Sequence, residues 1–145
     1  MPHKFGTQYF FRSDLFEIEA GEDAETNPLC FGSQLAHWLR GQLIEKGYSD
    51  EAVIPEDWGW CVMCARQPFL LWVGCVSVHD YTRTRPTDPL PKGRDVTWAC
   101  QPTAETSWFR GLFKRVDPTP ALERLTRDLH AVLSAEPRIT LTEEH

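Results

Sequence analysis

Two short acidic segments hold the side chains best suited to chemistry. The motifs GEDAETNP and PEDWGW contribute the carboxylates of Glu22, Asp23, Glu25, Glu56 and Asp57. Clustered carboxylates can bind a divalent cation or act as general acid and base. The first motif lacks the ligand spacing and the central glycine of a calcium loop. The structural alternative is a supported helix N-terminus followed later by a tight turn, and this pattern favours it. We therefore predict no catalytic residue and no metal ligand here.

The cysteines point to packing rather than to metal or redox chemistry. Their odd number, and the absence of a recognisable secretory segment, favour reduced thiols and a cytoplasmic location. Two of them form a CxxC motif, but the segment reads as a strand, in which residues three apart point to opposite faces. No second close pair completes a zinc ribbon. We interpret all five as small buried hydrophobes: Cys30, Cys61, Cys64, Cys75 and Cys100.

Other catalytic signatures are weak. The sequence has no GxSxG motif and no glycine-rich phosphate loop, and none of its five histidines lies in a recognisable motif. His79, followed by Asp80, could act as an oriented base, although a histidine at a strand end more often serves as a polar cap. The sequence predicts no cofactor. Whether the chain is an enzyme stays open, with the balance against it.

Six tryptophans make the chain rich in this residue. Trp38 and Trp72 lie inside apolar patterns, which predicts that both are in the core. Trp58, in the WGW turn, and Trp108, in an apolar segment, are predicted to be exposed anchors for a partner. Partly exposed tryptophan supplies many of the residues that dominate protein interfaces.

Two helices should position these residues. Asn27 is a suitable N-cap and Pro28 a suitable first residue for the first helix, with apolar residues following at helical spacing. Gly47 is expected to end it. A second helix should begin within residues 117–120, carry a leucine stripe and end before Pro137.

The remaining apolar segments predict a sheet. Residues 5–18 are expected to form two short strands that turn near residues 12–14, with Phe16 and Ile18 on a half-buried strand. Residues 53–57 are interpreted as a connector and residues 82–93 as an exposed loop. Further strands are predicted at residues 60–65, 69–78, 96–100, 107–113 and 139–141. The order indicates an α+β fold for residues 1–145: one domain, with a mostly antiparallel or mixed sheet and two helices packed on one face.

Charge is unevenly distributed along the 145 residues. The net charge is −6 overall, −7 over residues 1–60, +4 over residues 61–116 and −3 over the remainder. An acidic chain argues against nucleic acid as a partner and favours a basic one. The longest apolar run is too short for a membrane helix, so no membrane association is expected.

The segments that carry these acids also carry a resemblance. GEDAETNP, FG at residues 31–32, LAHWL at residues 35–39 and IPEDWGW at residues 54–60 resemble small, single-domain bacterial proteins of poorly defined function. The similarity covers about residues 16–78. In size and composition the chain also resembles the immunity proteins that neutralise bacterial toxins, including toxins delivered by contact-dependent or type VI secretion.

These observations favour a bacterial protein-binding module. The resemblance implies an immunity protein that occludes the active site of a basic toxin. The partner-binding residues would be Glu22, Asp23, Glu25, Glu56, Asp57, Trp58 and Trp108.

Two alternatives remain open. One is a small metal-dependent enzyme or metal-binding protein that uses the same carboxylates with His37 or His79. The other is a homodimeric structural subunit that pairs through residues 108–113.

Overall fold

One antiparallel sheet organises the chain. The computed structural model describes residues 3–48, 52–85, 87–106 and 116–142. Within them, the strands are β1 (His3–Phe5), β2 (Tyr9–Ser13), β3 (Val53–Glu56), β4 (Gly59–Ala65), β5 (Leu70–Val78), β6 (Thr97–Glu105) and β7 (Ile139–Thr142). The helices are α1 (Ser33–Glu45) and α2 (Thr119–Ala135). The predicted α+β class is confirmed.

The strands follow the order β3-β4-β5-β6-β2-β7, and β1 pairs with the end of β6. All of these pairings are antiparallel. Successive residues of a strand point to opposite faces, and β5 shows this in its strict alternation of buried and half-buried residues. One face of the sheet therefore packs under the helices, and the other is left open.

The helices cover the closed face. Leucines of α1 and α2 are fully buried and form one core with Val73 of β5 and Trp98 of β6. These leucines recur at helical spacing, so each helix presents a single apolar stripe to the sheet. They are Leu35, Leu39, Leu43, Leu125, Leu129 and Leu133. The predicted packing of both helices on one face is confirmed.

The start of α1 differs from the prediction. The helix begins at Ser33, not at Asn27 and Pro28, and Gly32 is its N-cap. Leu29 has φ of 71° and Gly32 has φ of 155°. These backbone conformations cannot belong to a right-handed helix, so the helix starts only after Gly32.

The end of α1 agrees with the prediction. Gly47 has φ of 100°. Its N–H donates to the carbonyl of Ile44, and the N–H of Tyr48 donates to that of Leu43. This pair of bonds is a Schellman motif. The predicted start of α2 is also confirmed, because the helix begins at Thr119. Asp117 accepts the N–H of Thr119 at 3.0 Å.

Several strand predictions are corrected. Phe16 and Ile18 lie outside any strand, although Phe16 is buried in the core. The strands β1 and β2 both pair antiparallel with β6, so they run in the same direction and the predicted turn between two strands near residues 12–14 is wrong. The predicted connector is strand β3, and β6 continues to Glu105. The predicted strand at residues 107–113 lies outside the described residues. Among the described residues, no helix is both long and apolar enough to cross a membrane.

Candidate functional site

Glu22 is a structural cap rather than a surface acid. Its side chain is only 8% exposed. The Oε1 atom accepts the N–H of Gly32 at 2.6 Å and the N–H of Ser33 at 3.3 Å. These groups belong to the first turn of α1, where N–H groups lack helical partners and attract negative charge. Burial nevertheless raises the pKa of Glu22, and the two N–H donors oppose that rise only in part.

The rest of the acidic loop is held by its own polar side chains. The Oδ2 atom of Asp23 accepts the N–H of Leu29 at 3.0 Å. The hydroxyl of Thr26 donates to the carbonyl of Cys30 at 2.7 Å. These bonds fix a loop conformation that includes the positive φ of Leu29. The side chain of Glu25 stays exposed.

The second acidic segment forms a tight hairpin. Glu56 pairs with Gly59 across β3 and β4, which leaves Asp57 and Trp58 as a two-residue loop. Gly59 has φ of 153°, and a Cβ there would lie 2.8 Å from the carbonyl oxygen of Cys75. The turn thus requires glycine at this position.

A hydrogen bond joins the two acidic segments. The Nδ2 atom of Asn27 donates to the carbonyl of Asp57 at 2.9 Å. Segments about thirty residues apart in sequence are thereby fixed side by side. We call the resulting set the acidic–aromatic surface. It consists of Asp23, Glu25, Glu56, Asp57 and Trp58.

Trp58 folds back over the open face of the sheet. Its ring stacks on Trp72 of β5 with centroids 5.3 Å apart and an interplanar angle of 20°. Gly74 makes room for this arrangement, because a Cβ there would lie 2.9 Å from the ring of Trp58. Trp58 still exposes 40% of its surface, as predicted for an anchor. The prediction that Trp72 is in the core is wrong, since it lies on the open face.

A groove of about 680 Å³ runs along this open face. The two stacked indoles lie in it, and Cys61 and Met63 of β4 also line it. Thr103 and Gln101 of β6 add polar atoms. This size and this mixture of apolar walls and a few polar groups are typical of ligand-binding clefts.

Carboxylates mark the two ends of the groove. Glu56 lies at the hairpin end, beside Trp58. Glu105 lies at the opposite end, where it pairs across strands with Leu70 and contacts His3 at 3.2 Å.

Burial, then the neighbouring Cys75, and then Glu56 raise the pKa of Cys61 to about 12. Arg66 acts in the opposite direction.

The structure therefore separates the predicted partner-binding residues into three groups. Asp23, Glu25, Glu56, Asp57 and Trp58 belong to the joined surface. Glu22 is turned inward as the helix cap. Trp108 lies outside the described residues. Pattern reasoning missed Trp72, Gly74 and the polar residues of β6 as groove residues. The pairing register of β5 with β6 places Trp72, Gly74, Gln101 and Thr103 side by side, and the continuous apolar sequence of β5 did not indicate this face.

The cysteines behave as the strand argument expects. Cys61 lines the groove, whereas Cys64 lies in the core under the helices. Cys75 and Cys100 are cross-strand neighbours with sulfur atoms 3.7 Å apart. All five cysteines are buried, free thiols.

His79 lies close to a serine. Its Nε2 atom is 2.8 Å from the hydroxyl of Ser77, and burial lowers the pKa of the imidazole. That hydroxyl is itself buried and accepts the N–H of Phe31 at 3.3 Å. The serine thus joins β5 to the segment that precedes α1. This contact pattern fits the polar cap that the sequence favoured over an oriented base.

The metal hypothesis finds no geometric support within residues 3–48, 52–85, 87–106 and 116–142. No three histidine, cysteine, aspartate or glutamate side chains come together there in a way that could hold a metal ion. Comparison of the chain with protein-family models, with curated proteins and with solved structures gave no significant match. The resemblance to immunity proteins therefore stays a prediction.

Proposed function

We propose that this chain is a protein-binding module whose acidic–aromatic surface docks on a basic surface of a partner protein. The observation that carries the proposal is the hydrogen bond between Asn27 and Asp57. It unites two acidic segments, each of which would be a small feature alone. Trp58 then places an exposed aromatic ring beside this negative patch.

The carboxylates and the tryptophan would contribute to binding in different ways. Exposed carboxylates steer a basic partner and accelerate association, an effect that salt weakens. A partly exposed tryptophan supplies apolar contact area that slows dissociation. The proposed partner is a bacterial toxin with a basic active-site cleft, and the mechanism is occlusion of that cleft.

Affinity capture tests this proposal. The bait is the tagged chain, incubated at low salt with a lysate of its native cells, and bound proteins are quantified by mass spectrometry. The test variant is Glu25→Lys with Asp57→Lys. Both side chains are exposed and neither carboxylate makes a hydrogen bond to a described residue, so the fold should persist. The control, Glu45→Lys with Glu123→Lys, makes the same change in charge on exposed helix positions.

We expect one basic protein to be recovered by the wild type and by the control, and to be strongly depleted with the test variant. Equal recovery with all three baits would overturn the proposal, because the partner would then bind elsewhere. Loss with both variants would also contradict it, since net charge rather than this surface would be responsible.

A further inference from the structure

The groove on the open face has the composition of a cation-binding cleft. Its aromatic wall is the stacked pair of Trp58 and Trp72, and indole faces attract cations. Trp58 keeps 40% of its surface exposed although its ring lies against its neighbour. Gly74 beneath the ring preserves this geometry, since any larger residue would displace it.

The charges in the groove are complementary to a cation. Its charged lining side chains are Glu56 and Glu105, accompanied by His3, and no lysine or arginine lines it among the described residues. His3 contacts Glu105. The carboxylate of Glu56, by contrast, forms no ion pair or hydrogen bond with a described residue, and it lies at the same end of the groove as Trp58.

We propose that this groove binds an arginine side chain carried on an extended segment of the partner protein, with the guanidinium between the indole of Trp58 and the carboxylate of Glu56. The inference rests on the proposed function and deepens it, because Trp58 and Glu56 belong both to the groove and to the acidic–aromatic surface. The acidic–aromatic surface that attracts the partner would therefore lie next to the part of the groove that binds the arginine.

Arginine fits this groove better than lysine does. A guanidinium is planar, stacks on aromatic rings and is more weakly hydrated than an ammonium group. Its planar face can lie on the indole of Trp58 while its several N–H donors pair with the carboxylate of Glu56. An ammonium group offers a point charge without the planar face.

The test uses the purified chain and short glycine–serine peptides. One peptide carries arginine, a second carries the uncharged isostere citrulline, and a third carries lysine. Binding is followed by the NMR signals of the indole N–H groups, which Trp58→Phe and Trp72→Phe assign. We expect the arginine peptide to shift the signals of Trp58 and Trp72 saturably, the lysine peptide to bind more weakly, and the citrulline peptide to leave both signals unchanged.

Two matched variants sharpen the result. Glu56→Gln should weaken binding of the arginine peptide at least about fivefold, as loss of a charged partner in a partly shielded site predicts. Glu123→Gln, on the exposed surface of α2, should leave it unchanged. Equal binding of arginine and citrulline peptides, or no shift at the two indoles, would overturn the inference.

The outcome can be separated from that of the capture experiment. If the peptides do not bind but the charge-reversed surface still loses the partner, the groove inference fails and the proposed function stands. If the arginine peptide binds but the charge-reversed variant still captures the partner as the wild type does, only the proposed function fails.

Discussion

At the scale of single residues, Glu22 shows how an apparent surface acid can be a structural one. Its carboxylate accepts two N–H groups at the start of α1, while its other oxygen, Oε2, is buried without a hydrogen-bond partner among the described residues. A buried acceptor that lacks a partner disfavours the charged form. The stability of the protein should therefore depend on the protonation of this one group.

The first prediction concerns that dependence. Burial raises the pKa of Glu22 in the folded chain, so between the unfolded and folded pKa values the native state binds more protons. The free energy of unfolding must then fall as pH rises through this range. The glutamine of E22Q does not titrate. We therefore expect the free energy of unfolding of the wild type, measured by chemical denaturation, to fall relative to that of E22Q between about pH 4 and about pH 7.

A second variant of this residue separates capping from charge. E22A removes both acceptors and should lower the free energy of unfolding by about 1 kcal/mol, as loss of a helix cap does. Stability curves for E22Q and wild type that run parallel over the whole pH range would contradict this role for the carboxyl group.

Gly74 gives the second prediction. In G74A, the new Cβ would lie 2.9 Å from Trp58 and 3.3 Å from Trp72. Because Trp58 is partly exposed, its ring can move away, so we expect stability to change by no more than about 1 kcal/mol. The stacked pair should nevertheless be lost, which the exciton signal of the two indoles in circular dichroism would report.

The matched control for that substitution is Gly41→Ala. Gly41 lies on the exposed side of α1, and a Cβ there would meet no atom within 4 Å. We expect this variant to gain about 0.5–1 kcal/mol from helix propensity and to keep the indole signal. An unchanged exciton signal in G74A would show that the stacking of Trp58 on Trp72 does not require glycine at position 74.

Some of these residue roles were accessible from sequence and others were not. The acids and the exposed Trp58 could be singled out by type and setting. The inward turn of Glu22 could not, because it depends on the positive φ of Leu29 and on the path that this gives the chain. Trp72 was misplaced because a continuous apolar strand gives no sign of which face the helices cover.

At the scale of elements, the contact between the end of α1 and α2 joins the two helices. The hydroxyl of Tyr48 donates to Asp128 at 2.7 Å, and the guanidinium of Arg124 lies 5.0 Å above the tyrosine ring. Arg124 also lies 3.5 Å from Asp128. Burial and the hydrogen bond to Asp128 both raise the pKa of Tyr48, so the hydroxyl stays protonated and available as a donor at neutral pH.

The third prediction tests this junction. Y48F removes the donor but keeps the ring under Arg124, so we expect a loss of about 1–2 kcal/mol in the free energy of unfolding. A double-mutant cycle with D128N, measured by denaturant unfolding, should show that the two changes are coupled. Strictly additive effects would indicate that the hydroxyl and the carboxylate contribute separately.

Long, strongly patterned elements were predictable from sequence. The strands β4 and β5 and both helices follow from apolar spacing, with Gly47 and Pro137 just beyond the helix ends. The short edge strand β7 follows from the alternation of Ile139 and Leu141 with threonines. The strand β3 was missed, since its sequence VIPE does not alternate apolar and polar residues and includes Pro55, a residue that strands disfavour. Its pairing with β4 depends instead on the hairpin that Gly59 permits.

At the scale of the whole molecule, helices cover one face of a single sheet, and the other face carries the groove. The acidic excess of the first sixty residues is concentrated by the fold, because Asn27 holds the acidic loop against the β3–β4 hairpin. Sequence composition indicated that acids would be exposed. The joining of the two segments required the tertiary structure.

The most direct measurement of the central claim is the rate of association between this chain and its captured basic partner, followed by stopped flow over a range of ionic strength. At low salt, the variant Glu25→Lys with Asp57→Lys should associate at least about tenfold more slowly than the wild type, and the difference should shrink as salt rises. The control variant, Glu45→Lys with Glu123→Lys, should stay close to the wild type. Equal rates for the wild type and the surface variant at low salt would contradict the claim that the acidic–aromatic surface is where the partner docks.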